Sequence, residues 1–175
     1  MSRIRAAVLE DAAALAALAE RTFRETFEDA NTAEDMALHC ARSYSPLVQR
    51  AEIEDPAMAT LVADDGDGLQ AYAQLRLRHA TPCVALERPA ELQRLYVARQ
   101  WQGRGLAQEL MSDVLDLARR HGADGLWLGV WERNPRAIAF YAKSGFATCG
   151  EHVFQLGSDP QRDVVMALRF APLVR

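Results

Sequence analysis

A chain of 175 residues, 50% apolar and 25% charged, has the length of about one domain and ample material for a core. Its net charge of −4 lacks the basic face that nucleic acid requires, and suits a cationic partner without demanding one. Cys40, Cys83 and Cys149 are odd in number and without C-x-x-C spacing, and His39, His79, His121 and His152 are dispersed, so neither a disulfide framework nor a metal site is expected.

Glu10 and Asp11 interrupt the N-terminal stretch MSRIRAAVLEDAAAL, so no secretory leader is expected. No apolar run approaches the ~18 residues of a membrane span. The reading is a cytoplasmic chain without membrane or nucleic-acid partners. Lys143 is the single lysine among 20 basic residues, a bias that fits genomic base composition and leaves no other lysine for Schiff-base or P-loop chemistry.

In chain order, Ile4 to Val8 reads as a first strand, and Asp11 is placed to cap a helix running to Phe27 with Leu15, Leu18, Ala19, Thr22 and Phe23 at helical spacing. Asn31-Thr32 caps a second helix toward Tyr44, with Glu34 and Asp35 in its first turn. Ser45-Pro46 opens a third, which Asp55-Pro56 ends after Glu54. Thr60 to Ala63 and Leu69 to Leu77 flank the turn signal Asp64-Asp65-Gly66-Asp67-Gly68 and read as a hairpin. Ala80 to Pro89 reads as a loop, and Leu92 to Val97 as a strand.

Gly105 to His121 is an amphipathic helix with Leu106, Leu110, Val114, Leu117 and Ala118 inward, closed by Gly122. Gly125 to Trp131 is a strand. Asn134-Pro135 starts a short helix through Ser144, stopped by Gly145. Phe146 to Phe154 and Val164 to Phe170 are two closing strands around a polar turn at Gly157 to Gln161. The order is β, three helices, a hairpin, then β-α-β-α-β-β, in one domain spanning residues 1–175, with helices on both faces of a mixed sheet.

Two segments carry chemistry. In Gln102-Gly103-Arg104-Gly105-Leu106-Ala107, two glycines let the backbone approach a ligand and run into a helix whose first N–H groups have no partner, which is an anion cradle made of backbone. The same glycines also serve to end a loop and start a helix. A P-loop is excluded by spacing, and a dinucleotide-binding turn is absent from the first strand. The second segment, Leu126 to Phe146, combines a buried strand, a capped helix and a glycine stop, in which Asn134 is equally a cap and Tyr141 equally a packed aromatic.

Taken together, Leu95-Tyr96-Val97, Gln102 to Ala107, and the series Leu126, Leu128, Val130, Asn134, Ala137, Phe140-Tyr141 and Gly145-Phe146 resemble the motifs of the GNAT superfamily of N-acetyltransferases. Thr22 to Phe27, Asn31 to Met36 and Gly129 to Asn134 further resemble the PaiA-type polyamine acetyltransferases, a group with spermidine- and spermine-acetylating members. The resemblance implies an α/β (α+β) GNAT fold: a mixed, mostly antiparallel central sheet of six to seven strands with splayed central strands.

It also implies acetyl-CoA as cosubstrate and no metal. Its pyrophosphate would be held by Gln102, Gly105 and Ala107 at the pattern positions, with Gly103, Arg104 and Leu106 adding backbone N–H groups. Ala107 stands where glycine is commoner, and Arg104 is either a phosphate partner or a solvated side chain. Leu95, Tyr96 and Val97 would pair with the pantetheine arm, with a backbone N–H near Val97 polarising the acetyl carbonyl. Asn134 would touch the arm, and Tyr141 would protonate the departing thiolate. Lys143 lies near the expected adenosine phosphates or is simply a surface charge.

Glu91 matches a position where some members carry a glutamate base acting through water, and is equally a surface residue at a strand edge. Transfer would run directly from thioester to amine. The implied acceptor is a small-molecule amine, with Phe27, Asn31, Glu34, Asp35, Trp131 and Glu132 as candidates to receive a polyammonium chain. A protein N-terminus, an amino acid or an antibiotic amine is the alternative acceptor, and a non-catalytic acyl-CoA-binding module the alternative class. The resemblance is compatible with a homodimer.

Overall fold

Thr32 and Ser45 each place a hydroxyl oxygen where it accepts the backbone N–H three residues on, from Asp35 and Val48 at 3.1 and 3.2 Å. Those caps start α2 (Ala33–Ser43) and α3 (Pro46–Glu54) where the sequence says they should. A computed structural model of the chain describes residues 2–171. Asp11, read as the cap of α1 (Ala12–Phe27), makes no cap bond to that helix. Its carboxylate accepts instead from the Val8 N–H at 2.8 Å and from Arg5 at 2.7 and 2.9 Å, and Arg5 also bonds Asp64 at 2.8 Å. A tertiary charge cluster has outcompeted a local cap, because two ionised partners make stronger hydrogen bonds than a helix N–H.

The strands are β1 (Arg3–Ala6), β2 (Met58–Asp64), β3 (Leu69–Leu77), β4 (Pro89–Val97), β5 (Gly125–Trp131), β6 (Ala147–Leu156) and β7 (Asp159–Arg169). With α4 (Leu106–Arg120) and α5 (Pro135–Lys143) they complete the expected order. Among the described residues they form one seven-stranded sheet in the order β1-β2-β3-β4-β5-β7-β6. Only the β4–β5 pair is parallel, as an α4 crossover between them requires.

β4 begins three residues earlier than expected, at Pro89, and the final turn contracts to Gly157-Ser158 between longer strands. No helix among the described residues is long and apolar enough to cross a membrane.

Apolar side chains on the two sheet faces build two cores. Leu15, Leu18, Ala19 and Phe23 of α1 pack with Met36 and Cys40 of α2 over Val62 and Tyr72. On the other face Leu106, Leu110, Val114 and Ala118 of α4 pack over Ala73, Leu75, Leu92 and Leu126. Each fully buried leucine there contributes about 2 kcal/mol of transfer free energy.

Two irregularities interrupt β4. Its register against β3 slips between Gln74–Arg94 and Leu75–Leu92, which leaves Gln93 as a bulge. The α4-facing positions accordingly change parity, from Ala90 and Leu92 before the bulge to Leu95 and Val97 after it. And β4 pairs with β5 only through Pro89–Gly125, Ala90–Leu126 and Glu91–Trp127, although both strands run on.

Candidate active site

Past Glu91 and Trp127 the two central strands diverge, leaving one edge of β4 without a sheet neighbour. The gap is a cleft of about 410 Å³ walled by β4, β5, α1, α5 and the β6–β7 hairpin. Leu95 and Tyr96 line it from β4, Trp131 from β5, and Asn134 and Tyr141 from α5.

Tyr141 packs against Phe140 and Phe146, at centroid distances of 5.4 and 6.0 Å. Burial there pushes its phenol up to about 12, so it remains a proton donor throughout the physiological range. Tyr96 is stacked on Tyr72 at 5.8 Å, and burial raises its phenol well above the usual value. Asn134 uses its side-chain oxygen to cap α5, accepting from the Ala137 N–H at 3.2 Å. Its amide nitrogen is thereby left over.

The glycine loop lies beside the cleft and is tied to both walls. Gln102 donates through Nε2 to the Val97 carbonyl at 3.0 Å and accepts at Oε1 from Arg136 at 3.0 Å. Gly103 and Gly105 have φ of +75° and +88°, where a side chain would be strained, and a Cβ at either would meet nothing within 4 Å. The first bonds of α4 are donated by Gln108 and Glu109 to the Gly105 carbonyl, so the N–H groups of Leu106 and Ala107 precede the helix ladder. Open space, left-handed glycines and unpaired N–H groups at a fifteen-residue helix fit a phosphate group. Arg104 lies over the Trp101 ring at 5.1 Å. Val97 is buried at the end of β4, and Lys143 ends α5 on the exposed side.

Glu91 is not at a strand edge but paired on both sides, to Arg76 of β3 and Trp127 of β5. It is 9% exposed, and its Oε2 has no hydrogen-bond partner among the described residues. Arg76 Nη1 and His79 Nε2 stand 3.5 and 3.6 Å away. Burial raises the carboxyl above its usual range, against the opposing pull of those cations.

The acceptor candidates separate. Phe27 and Trp131 meet edge to face at 5.8 Å and line the cleft. Asp35 accepts from the Ser158 N–H and hydroxyl at 2.6 and 2.8 Å and pins the β6–β7 turn. Asn31 bonds Gln161 at 2.5 Å, Glu132 pairs with Arg162 at 2.9 Å, and Glu34 is exposed on α2.

Sequence reasoning missed four groups in the cleft: Gln93, His79, His152 and Asp163. His152 faces Asp163 directly in the β6–β7 register, with Nε2 3.4 Å from Oδ2. The Trp127 Nε1–H donates to the His79 carbonyl at 2.7 Å, and its ring lies between the two histidines, stacked on His79 at 5.8 Å and edge-on to His152 at 6.0 Å.

Comparison with known proteins agrees with this geometry. The acetyltransferase (GNAT) family model matches residues 12–146. The chain is 36% identical over 158 residues to an uncharacterized N-acetyltransferase of Mycobacterium bovis, covering 90% of this chain and 97% of that protein. It is 32% identical over 151 residues to another from Lactobacillus delbrueckii subsp. lactis, covering 86% and 87%. The PaiA N-acetyltransferase of Thermoplasma acidophilum, solved in complex with coenzyme A, shares the fold with a TM-score of 0.76 at 20% identity, over 97% of this chain and 99% of that one. With its split central strands, glycine loop and matching relatives, the chain belongs to the acetyltransferase (GNAT) family and is an acyltransferase.

Proposed function

We propose that the protein moves the acetyl group of acetyl-CoA directly to the primary amine of a small cationic molecule, a polyamine or a similar amine of the kind handled by PaiA-type enzymes. The observation that carries this reading is the divergence of β4 and β5 beyond Glu91 and Trp127, which opens a cleft rich in aromatic rings, where Glu91 and Asp163 sit among Arg76, Arg94, His79 and His152. When bound, acetyl-CoA supplies a thioester whose acyl carbon an amine attacks and whose thiol departs.

The N–H groups from Gly103 to Ala107 hold the pyrophosphate, and Gln102 braces that loop against Val97. The free edge of β4 at Leu95, Tyr96 and Val97, with the Asn134 amide, positions the arm in the slot. Tyr141 Oη hands its proton to the departing sulfur. Glu91 draws the proton from the acceptor nitrogen, directly or through one water; among the described residues its Oε2 has no hydrogen-bond partner. Phe27 and Trp131 offer aromatic surface to a cation, and Glu91 and Asp163 offer charge alongside the Arg76, His79 and His152 that already face them.

The test is thiol release from acetyl-CoA across a panel of polyamines, monoamines, amino acids and N-terminal peptides. Turnover highest with spermidine or a related amine is expected. Turnover confined to amino acids or peptides overturns the acceptor class. Tight acetyl-CoA binding by thermal shift with no turnover on any amine overturns the enzyme reading in favour of a regulatory module.

A further inference from the structure

Two of the three thiols meet although 66 residues separate them in the chain. Cys83 lies in the connection between β3 and β4, and Cys149 near the start of β6, the edge strand of the sheet. The Cys149 S–H donates to Cys83 Sγ at 3.9 Å, and both cysteines are free.

Both backbones are shaped for this meeting. Thr148 faces Met166 and Gly150 faces Val165 in the β6–β7 register, so Cys149 is the extra residue of a bulge, which turns its side chain out of the regular alternation. Gly150 leaves the space that Cys83 fills: a Cβ added at 150 would fall 2.6 Å from Cys83 Cβ and 2.8 Å from its Sγ. The connection is fastened on either side of the thiol. The His79 carbonyl accepts from Trp127 Nε1 at 2.7 Å, and the Glu87 and Arg88 N–H groups both donate to Asp124 at 2.9 Å. Between those anchors the Val84 N–H closes a turn on the Thr81 carbonyl at 3.1 Å, and that turn carries Cys83.

We propose that Cys83 and Cys149 form an oxidation site, in which a hydroperoxide reacts first at Cys83 and a reversible disulfide then ties the β3–β4 connection to β6. The proposal does not depend on the acceptor read for the cleft. It reaches the cleft only in its consequence, since the connection lines it with His79, Ala80 and Thr81, and β6 lines it with His152, Val153 and Phe154. A bond between residues 83 and 149 fixes those two linings to each other.

Atoms and electrons balance. The Cys83 thiolate attacks a peroxide oxygen, the O–O bond breaks, and the leaving alkoxide or hydroxide takes up the thiol's proton. The Cys149 sulfur then displaces hydroxide from the Cys83 sulfenic acid, forming the S–S bond, and its own proton converts that hydroxide to water. The two sulfurs lose two electrons and the peroxide gains them. Cys149 is exposed, which admits the oxidant. Partial burial and the Cys83 sulfur push its thiol up to about 11, so the first attack falls to Cys83 and Cys149 resolves it. The sulfurs close from 3.9 Å to about 2.05 Å by side-chain rotation and a small movement of the connection.

The test is oxidation of the full chain with hydrogen peroxide, followed by intact mass and peptide mapping. A mass loss of about 2 Da, a linked peptide pair holding Cys83 and Cys149, and full reversal by dithiothreitol are expected. Cys40, 3% exposed, should stay unmodified as the internal control. Sulfinic acid at either cysteine without a crosslink, a disulfide between molecules, or a link through Cys40 overturns the proposal. Cys149→Ser leaves Cys83 unresolved and should label with dimedone faster than Cys83→Ser; the reverse order overturns Cys83 as the attacking thiol. Gly150→Ala keeps both thiols, displaces Cys83 and should slow crosslinking about tenfold. Crosslinking at the parent's rate overturns the part given to Gly150.

A second measurement reads the tie itself. Amide hydrogen exchange across residues 79–88 should slow in the oxidised protein and return on reduction. Unchanged exchange in a fully crosslinked sample overturns the proposed consequence for the cleft. Neither measurement needs turnover, so a failure of the acetyl-transfer reading leaves both outcomes decisive.

Discussion

Glu91 and Trp127 are the last residues at which β4 and β5 pair, and both line the space that opens beyond them. Glu91 is therefore held by the sheet at the one point where the sheet stops closing. Its position costs stability. Burial raises its carboxyl above the usual glutamate value, so the folded state binds this proton more tightly than the unfolded chain. The associated stability is fully present below the unfolded pKa and is lost as pH rises through the folded pKa. Glu91→Gln removes the charge and keeps the shape. We expect kcat to fall by about 10²-fold while Tm at pH 8 is equal to or above that of the parent. Thermal unfolding across pH 4–9 checks the sign: the parent should lose ground against Glu91→Gln as pH rises.

Tyr141 gives a different pH signature. With its phenol pushed up to about 12, it stays protonated until well above neutrality. The rate should not decline through loss of this proton at any pH below about 11. Tyr141→Phe keeps the ring against Phe140 and Phe146 and removes only the hydroxyl. It should lower kcat by about 10²-fold with acetyl-CoA affinity within about threefold, read by steady-state kinetics and calorimetric titration. Turnover equal to the parent would remove Tyr141 from the reaction.

The glycine loop should respond in affinity rather than in rate. Gly105 precedes α4 at φ +88° with nothing within 4 Å of an added Cβ, so alanine meets strain but no clash. A left-handed non-glycine residue costs about 1–2 kcal/mol. Gly105→Ala should therefore weaken acetyl-CoA binding about 5–30-fold by calorimetry, or unfold more easily by the equivalent amount if the loop keeps its shape. Arg104→Ala, which loses a side chain resting on Trp101, should change binding by less than Gly105→Ala does.

Features decided within a few residues were legible in the sequence. Thr32 and Ser45 announce their helices, and Gly103 and Gly105 their loop, because caps and left-handed turns are local. Asp11 misled because Arg5, which claims its carboxylate, is held in place by Asp64 only when β1 pairs with β2. The Gln93 bulge depends on the register of β3 and leaves no mark in a run such as Glu91 to Val97.

His152 and Asp163 were hidden by the final turn. Reading Gly157 to Gln161 as the turn leaves Asp163 outside its strand. The turn is Gly157-Ser158, with Gly157 at φ +59°, and that tight closure sets Leu156 opposite Asp159 and His152 opposite Asp163. A two-residue hairpin centred on Gly157 was the signal that would have found the pair.

Asn134 carries two duties that substitution can separate. Its side-chain oxygen caps α5, and the proposed role in holding the cofactor arm belongs to the amide nitrogen, which the cap does not use. Asn134→Ala removes both, and loss of the cap alone should cost about 1 kcal/mol of stability. Asn134→Asp and Asn134→Ser keep an oxygen for the Ala137 N–H and should retain Tm close to the parent's. If the amide holds the arm, both of these should still weaken acetyl-CoA binding, with Asp the worse because it brings a negative charge toward an anionic ligand. Denaturant unfolding and calorimetric titration of the three variants make the comparison. Full acetyl-CoA affinity in Asn134→Ser would reduce Asn134 to a helix cap and shift the burden of positioning the arm onto the free edge of β4.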